Sequence, residues 1–396
     1  MRITAVKLLH LQGRMPFEGR FWEERLVRPV DLYPEHAAEP ESWLEPIGEG
    51  VYRMQSIFVQ IETDADGLLG IGGPVDHHQA YIVARQLRPL LVGHDPLATE
   101  RIWDRLYRQQ IHGRKGAAMM AISAVDCALW DLKGRWANAP VYRLLGGPAR
   151  PSLPAYASML GHSVEPSLAA ERAKEYHEKG YGAQKWFFRH GAWAGKEGVE
   201  KNVALVRAVR DAIGPDDDLM LDAWSSWDVP YCEKMAERIA EYNPRWLEEP
   251  VLADRVESYA ELHRRLPFPV AGAEHEYTRW GIKHLLDHDA LDVIQPDIYW
   301  AGGISEMLKI AAIASTYDVQ LIPHGHSTPA TAHFLVAQPA NLCPYIEYLI
   351  KWNEIHQFFL KSPLKPENGV VTPRDEPGIG MDLDPAKIEQ QRELEL

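Results

Sequence analysis

Residues 218–250, DLMLDAWSSWDVPYCEKMAERIAEYNPRWLEEP, hold one full unit of the pattern that decides the fold. An apolar run, LML, ends in Asp222. An amphipathic run, YCEKMAERIAEYN, has the 3.6-residue period of a helix. A second apolar run then ends in Glu248 and Glu249. The same unit recurs on both sides. Strand candidates are LPAYAS, GAQKWFF, DLMLDAW, PRWLEEP, PVAGAE, LDVIQPD, VQLIPHG and YIEYLI, separated by helical runs such as SLAAERAKEYHEKG, GVEKNVALVRAVRDAIG and EMLKIAAIASTYD. Eight strand-then-helix units predict an α/β fold, a (β/α)7–8 TIM-type barrel over residues 131–351. A doubly wound sheet is the alternative arrangement of the same elements.

Outside this region the texture differs. Residues 1–130 open on a strand, ITAVKLLHL, and a Pro-, Glu- and Trp-rich loop from Arg14 to Glu49. A strand pair, YRMQSIFVQIETDADGLLGIGG, and several helices follow. Strands first and helices after predict an α+β capping domain. The Pro- and Gly-rich segment 352–396 is expected to pack back on that domain and complete it.

The chain has 396 residues, enough for two or three domains, with 46% hydrophobic and 25% charged residues. That is globular rather than disordered composition. Lys and Arg number 42 against 56 Asp and Glu, a net charge of −14. Such acidity argues against nucleic acid as a partner. No apolar run approaches the ~20 residues of a membrane span. The N-terminus lacks the apolar core of a signal peptide. Cys127, Cys232 and Cys343 are odd in number and widely spaced, so a disulfide framework is not expected and a reducing, cytoplasmic setting is.

A barrel of this kind carries its chemistry at the C-terminal ends of its strands. The polar residues there are Asp222, Glu248 with Glu249, Glu274, Asp297, His324 and Glu347, at steps of about one unit. One acid at a strand end usually caps a helix or faces water. Three in successive units, followed by an Asp and a His, converge on one rim, where like charges repel. A divalent cation resolves this, and all-oxygen ligands suit Mg²⁺. Asp297 beside His324 would fix the imidazole tautomer and make His324 a general base. Lys185, across the barrel, would neutralise an anionic substrate oxygen. Together they predict removal of the α-proton of a carboxylate substrate.

These segments resemble the enolase superfamily in its mandelate racemase-type branch. AISAVDCALWDLKGRWANAPVYRLLGG resembles the passage from the capping domain into the barrel. LMLDAW, WLEEP and GAEHE resemble the metal-ligand segments, which implies Asp222, Glu248 and Glu274 as ligands. QPD and PHG resemble the Asp297–His324 pair, and Glu347 the eighth-strand acid. YPEH, HGAWAGKEGVEKN, SSWDV, EHE and PGIGMDL resemble the L-rhamnonate dehydratase-like acid-sugar dehydratases. That implies a Mg²⁺-dependent hydro-lyase converting an aldonate, L-rhamnonate-like or L-lyxonate-like, to a 2-keto-3-deoxy acid. It also implies His275 on the substrate side and a symmetric homo-oligomer such as an octamer.

One departure is informative. Racemases of the branch carry Lys-x-Lys on the second strand; here it is Lys185-Trp186-Phe187. Phe187 cannot move a proton, which favours one-base elimination over epimerisation or cycloisomerisation on the same scaffold. A non-catalytic sugar-acid binding protein is the remaining alternative, disfavoured by the intact ligand set. The Arg14–Glu49 loop is expected to close over the substrate, with Phe21, Trp22 and His36 on it and Arg53 after it as a carboxylate or hydroxyl contact. Trp300, with Trp224 and Trp227, is expected to line the pocket. GIGG at 70–73 opens no dinucleotide unit, and His284 and His288 are expected to face solvent.

Overall fold

A computed structural model of the chain describes residues 1–38 and 44–396, so residues 39–43 of the predicted loop lie outside the described residues. The N-terminal sheet is antiparallel. Its strands are β1 (Ile3–Pro16), β2 (Glu45–Gly48), β3 (Val51–Thr63) and β4 (Leu69–Val75). β1 and β3 pair from Ile3↔Thr63 to Pro16↔Val51, while β2 and β4 both pair with β3. Apolar side chains such as Val6, Leu8, Leu11, Val59 and Ile61 are buried. The helix Ala117–Trp136 packs on β4 at very close range. A Cβ on Gly70 would meet the Ala128 carbonyl oxygen at 2.1 Å, and one on Gly72 the Ala124 oxygen at 2.2 Å. GIGG is therefore a packing motif: the bare backbone lets a small-residue helix lie against the strand.

The second region is a curled parallel sheet. Its strands are β5 (Leu153–Ser158), β6 (Ala183–Phe187), β7 (Asp218–Asp222), β8 (Trp246–Glu248), β9 (Val270–Gly272), β10 (Val293–Ile294), β11 (Gln320–Leu321) and β12 (Ile346–Leu349). They lie side by side in the order β11-β10-β9-β8-β7-β6-β5-β12. A helix follows each strand, as parallel crossovers require. The curl brings Tyr156, Ala183, Met220, Trp246, Ala271, Val293 and Ile322 into one buried inner cluster, with Tyr345 against it. No ladder joins β11 to β12 among the described residues; Leu321 N donates to Leu342 O at 2.8 Å across that seam. The architecture is thus mixed α/β: a curled parallel sheet beside a separate antiparallel one.

The C-terminal segment links the two. β13 (Val370–Val371) pairs with β5, and β14 (Gln390–Glu393) adds to the edge of β1. Asp131, buried in the long helix, accepts from Ile71 N and Ile379 N and pairs with Arg135, tying strand, helix and tail together. No described helix is long and apolar enough to cross a membrane.

Candidate active site

Inward-facing positions along a strand recur every two residues. Two residues beyond the apolar inner cluster, the same strands present Lys185 after Ala183, Asp222 after Met220, Glu248 after Trp246, His324 after Ile322 and Glu347 after Tyr345. Lys185 is fully buried at the centre. Its Nζ lies 3.2 Å from Asp222 Oδ2 and 2.8 Å from Glu347 Oε1, and it also pairs with Glu248 Oε1. The other Glu248 oxygen accepts from Trp246 Nε1 at 3.0 Å and Gln295 Nε2 at 2.7 Å. Asp222 accepts from Trp224 N at 2.8 Å, and Glu274 from Trp224 Nε1 at 3.2 Å.

This cluster holds more negative than positive charge. Burial pushes the Asp222 carboxyl up to about 6 and that of Glu248 up to about 8. Burial opposes a charged Lys185, but Glu248 and Glu347 outweigh it and hold the ammonium well above its ordinary value. Asp222, Glu248 and Glu274 are buried oxygen donors on three neighbouring strand ends with one lysine among them. That donor set fits a hard divalent cation such as Mg²⁺.

Asp297 Oδ2 lies 2.8 Å from His324 Nδ1, leaving Nε2 toward Glu274 Oε2 at 3.6 Å. Burial works against a charged His324, but Glu274 and Asp297 raise it to about 10. A second His–carboxylate pair faces it across Trp300. His275 Nδ1 lies 2.7 Å from Glu249 Oε2 and 3.4 Å from Glu274 Oε1. Glu249, Glu274 and His275 are the trio of potential ligand atoms that comes within 4.8 Å among the described residues. Here Glu249 and Glu274 overcome burial and raise His275 to about 9. His275 thus pairs with both carboxylates, which makes the trio an ion-pair cluster beside the Asp222, Glu248 and Glu274 donors. The sequence places Glu249 at the rim beside Glu248 but gives it no partner; the EE doublet at 248–249 is its only signal. Its backbone stands at φ +40°, and its carboxylate meets Ser225 and His275, whereas that of Glu248 meets Lys185 and Gln295.

A cavity of about 170 Å³ opens above the cluster. Lys185, Asp222, Glu274 and His324 form its charged corner, and Leu26, Leu160, Phe187 and Leu349 its apolar wall, with Trp224, Trp300, His326 and Trp352 at the sides. The structure thus brings Lys185, Asp222, Glu248, Glu274, Asp297, His324, Glu347 and Trp300 together. His275 faces an adjoining groove with Trp224 and Arg255. Two expected substrate contacts lie elsewhere. Arg53 points into a groove at the far end of β3, its Nε 2.9 Å from Glu45 Oε2. His36 sits on the one-turn helix Pro34–Ala37, where its carbonyl accepts from Arg25 and Arg28. Phe21 and Trp22 pack into the core, and Trp227 packs on Phe188. Among the described residues of the N-terminal loop it is Leu26 that reaches the cavity, anchored by Val27 N to Phe188 O and by the buried Arg25–Asp31 pair.

With this geometry in hand, comparison with known proteins is direct. Residues 168–387 match the family described as enolase C-terminal domain-like, and residues 45–146 the mandelate racemase / muconate lactonizing enzyme N-terminal domain. The chain is 34% identical over 408 residues to the L-rhamnonate dehydratase of Saccharopolyspora erythraea, covering 99% of both. It superposes on the crystal structure of L-rhamnonate dehydratase from Gibberella zeae with a TM-score of 0.83 and 30% identity, covering 99% of this chain and 96% of that one. A crystal structure of rhamnonate dehydratase from the same organism complexed with Mg gives 0.80 and 28%, covering 98% and 95%. The chain belongs to the enolase superfamily, in its mandelate racemase and muconate lactonizing branch, and is an enzyme of the hydro-lyase class.

Proposed function

We propose that the chain dehydrates a sugar acid, an L-rhamnonate-like or L-lyxonate-like aldonate, to the 2-keto-3-deoxy acid. The observation that carries this reading is the asymmetry of the cavity. One face offers the Asp297-backed His324, and the other offers Lys185 and Phe187. One proton carrier beside one fixed cation suits elimination better than two-base inversion. The reading also takes the curled sheet as a closed (β/α)7–8 barrel, supported by the inner cluster, which draws on β5 to β10 and on Ile322 and Tyr345 next to β11 and β12.

Asp222, Glu248 and Glu274 would hold Mg²⁺. When bound, it would engage the substrate carboxylate, offset the charge that develops there and screen Glu274 from His324. The chain's own residues do the rest. Glu274 is the main charge that favours a second proton on His324; with that carboxylate taken up as a metal ligand the ring is neutral, Asp297 accepts its Nδ1 proton, and Nε2 presents its lone pair to the cavity. Nε2 takes the C2 proton, and the electron pair from that C–H bond moves onto the carboxylate. Lys185, charged and buried, stabilises the oxygens that receive it. The pair then returns to form the C2–C3 double bond as the C3–O bond breaks. The imidazolium gives its proton to the departing hydroxyl, so water leaves and His324 is neutral again. The enol product tautomerises to the 2-keto acid. The apolar wall of Leu26, Leu160 and Leu349 limits the water that reaches this charge.

The test is incubation of the protein with L-rhamnonate and L-lyxonate in Mg²⁺, with release of keto acid followed as its semicarbazone. Turnover by the native chain and a fall of ~10²–10⁴ in His324→Asn is the expected result. Keto acid formation undiminished in His324→Asn would overturn the assignment of the base.

A further inference from the structure

The inner cavity is small for a polyhydroxylated acid, and its wall beyond the charged corner is apolar. A hydroxyl moved from water to such a wall without a partner loses its hydrogen bonds uncompensated, which disfavours binding there. One polar side chain breaks that wall, His326. It also lines a second cavity of about 500 Å³, together with Trp300 and Trp352, so the two spaces share a boundary. The second cavity lies at the seam between the N-terminal sheet and the rim. His10, Gln55, Asp76, His77, Gln79 and His356 contribute hydrogen-bonding groups to it.

His326 is held firmly yet bonds nothing with its ring. Its backbone N donates to Asp297 Oδ2 at 3.2 Å, and its carbonyl pairs with His356 Nδ1 at 2.7 Å. Its imidazole is wedged against Tyr299, Trp300 and His356, with centroids 6.0, 5.6 and 4.1 Å away. Among the described residues its Nδ1 is buried without a hydrogen-bond partner, and Nε2 makes no bond to protein. Buried structural histidines of this chain behave otherwise. His162 engages the Met159 carbonyl, His333 the Tyr142 amide, and His356 the His326 carbonyl. Burial, with His356 and His324 nearby, keeps His326 neutral, so its ring offers one N–H and one lone pair, the complement of a hydroxyl.

We propose that the seam cavity is the subsite for the far end of the sugar acid, and that His326 is the specificity-determining residue at its mouth, hydrogen-bonding a substrate hydroxyl beyond C4. The inference rests on the sugar-acid reading for the chemical class of the ligand. The substrate's carboxylate end sits at Lys185, its chain passes Trp300 and Trp352, and its terminal hydroxyls meet His326, Gln55 and His356. Chain length and terminal hydroxylation, rather than the C2–C3 unit, are then what this subsite reads.

The test is calorimetric titration of the full chain in Mg²⁺ with D-erythronate, L-lyxonate and L-mannonate. These share their C2 and C3 configuration and run from four to six carbons. Keto acid release is measured in the same samples. The native chain is expected to bind the six-carbon acid about tenfold or more tightly than the four-carbon acid. H326L is expected to remove that difference while leaving D-erythronate affinity unchanged. H326Q, which keeps a donor and an acceptor, is expected to retain part of it. Gln55→Ala, at an exposed side chain, reads the same subsite from its outer wall and decides the matter should H326L not fold. Equal weakening of all three acids in H326L, or no length dependence in the native chain, overturns the subsite. Length-dependent binding without keto acid release keeps the subsite and sinks the dehydratase reading. Turnover without length dependence does the reverse, and no binding of any of the three sinks both.

Discussion

Two layers of the curled sheet, one pleat apart, are built on the same strands and do opposite things. The inner layer is Tyr156, Ala183, Met220, Trp246, Ala271, Val293 and Ile322, fully buried or nearly so and apolar. The rim layer, two residues further along, carries Lys185, Asp222, Glu248, His324 and Glu347, equally buried and charged. Burial stabilises the first layer by roughly 25 cal/mol per Å² of apolar surface. The same burial pushes carboxyls in the second toward their neutral forms. On the proposed function the fold's stability resides in one layer and its chemistry in the next, and substitutions should separate the two.

The largest effect is expected at the rim. Glu248→Gln keeps the shape but removes one of the acids that fit Mg²⁺. Turnover should fall by ~10³ or more. Thermal melting without added metal should not fall, because one excess buried carboxylate has been neutralised. A large drop in melting temperature would break the comparison, since it would show that the rim also holds the sheet together. His324→Asn should lower turnover by ~10²–10⁴ while the protein still binds its acid. Retained C2 proton exchange in D₂O would show that another group takes the proton.

The inner layer should answer in the other currency. Trp246→Ala leaves a void among Tyr156, Met220 and the neighbouring strands and should destabilise by about 3–5 kcal/mol. It also removes the Nε1 donor to Glu248, so the folded fraction should lose some turnover as well. Trp246→Phe separates these effects, keeping most of the volume without the donor. Denaturant melts with activity per folded molecule distinguish packing from positioning. A variant that kept stability but lost activity as completely as Glu248→Gln would erase the division between the layers.

The rim was legible because a strand's period is rigid. Once DLMLDAW and PRWLEEP are strands, Asp222 and Glu248 must point inward beyond Met220 and Trp246. Arg53 failed for an equally physical reason. It shares its face of β3 with Gln55, which does line the seam cavity, but stands one pleat repeat, ~6.8 Å, further from the rim. The periodicity gives a face, not a position along it. The sequence places Glu249 at the rim but not its pairing with His275, which follows a backbone at positive φ that no local pattern announces. The path of the N-terminal loop was out of reach for another reason. It is set by contacts far away in sequence, such as Glu23 with Lys351 and Val27 with Phe188.

A smaller effect sharpens the comparison at a helix next to the sheet. His333, in the helix Thr328–Val336, is fully buried; its Nδ1 lies 3.3 Å from Tyr142 N, and its ring is stacked on Tyr142. Burial holds its imidazole down at about 4. The unfolded chain, with an ordinary histidine near 6.5, binds a proton first as pH falls. The contribution of this neutral histidine is therefore complete above about pH 6.5 and is lost progressively as pH falls through that value toward 4. Between pH 7.5 and 5.5 the loss should be about 1 kcal/mol for this one group. His333→Gln lacks the titration, so its stability should fall by that much less over the same interval in paired denaturant melts. Parallel pH profiles for native chain and variant would mean that His333 charges in place. The acid sensitivity of the fold would then lie outside the packed histidines, and not in Asp222 and Glu248 either, since carboxyls raised by burial take up their protons in the folded state first and favour folding as pH falls.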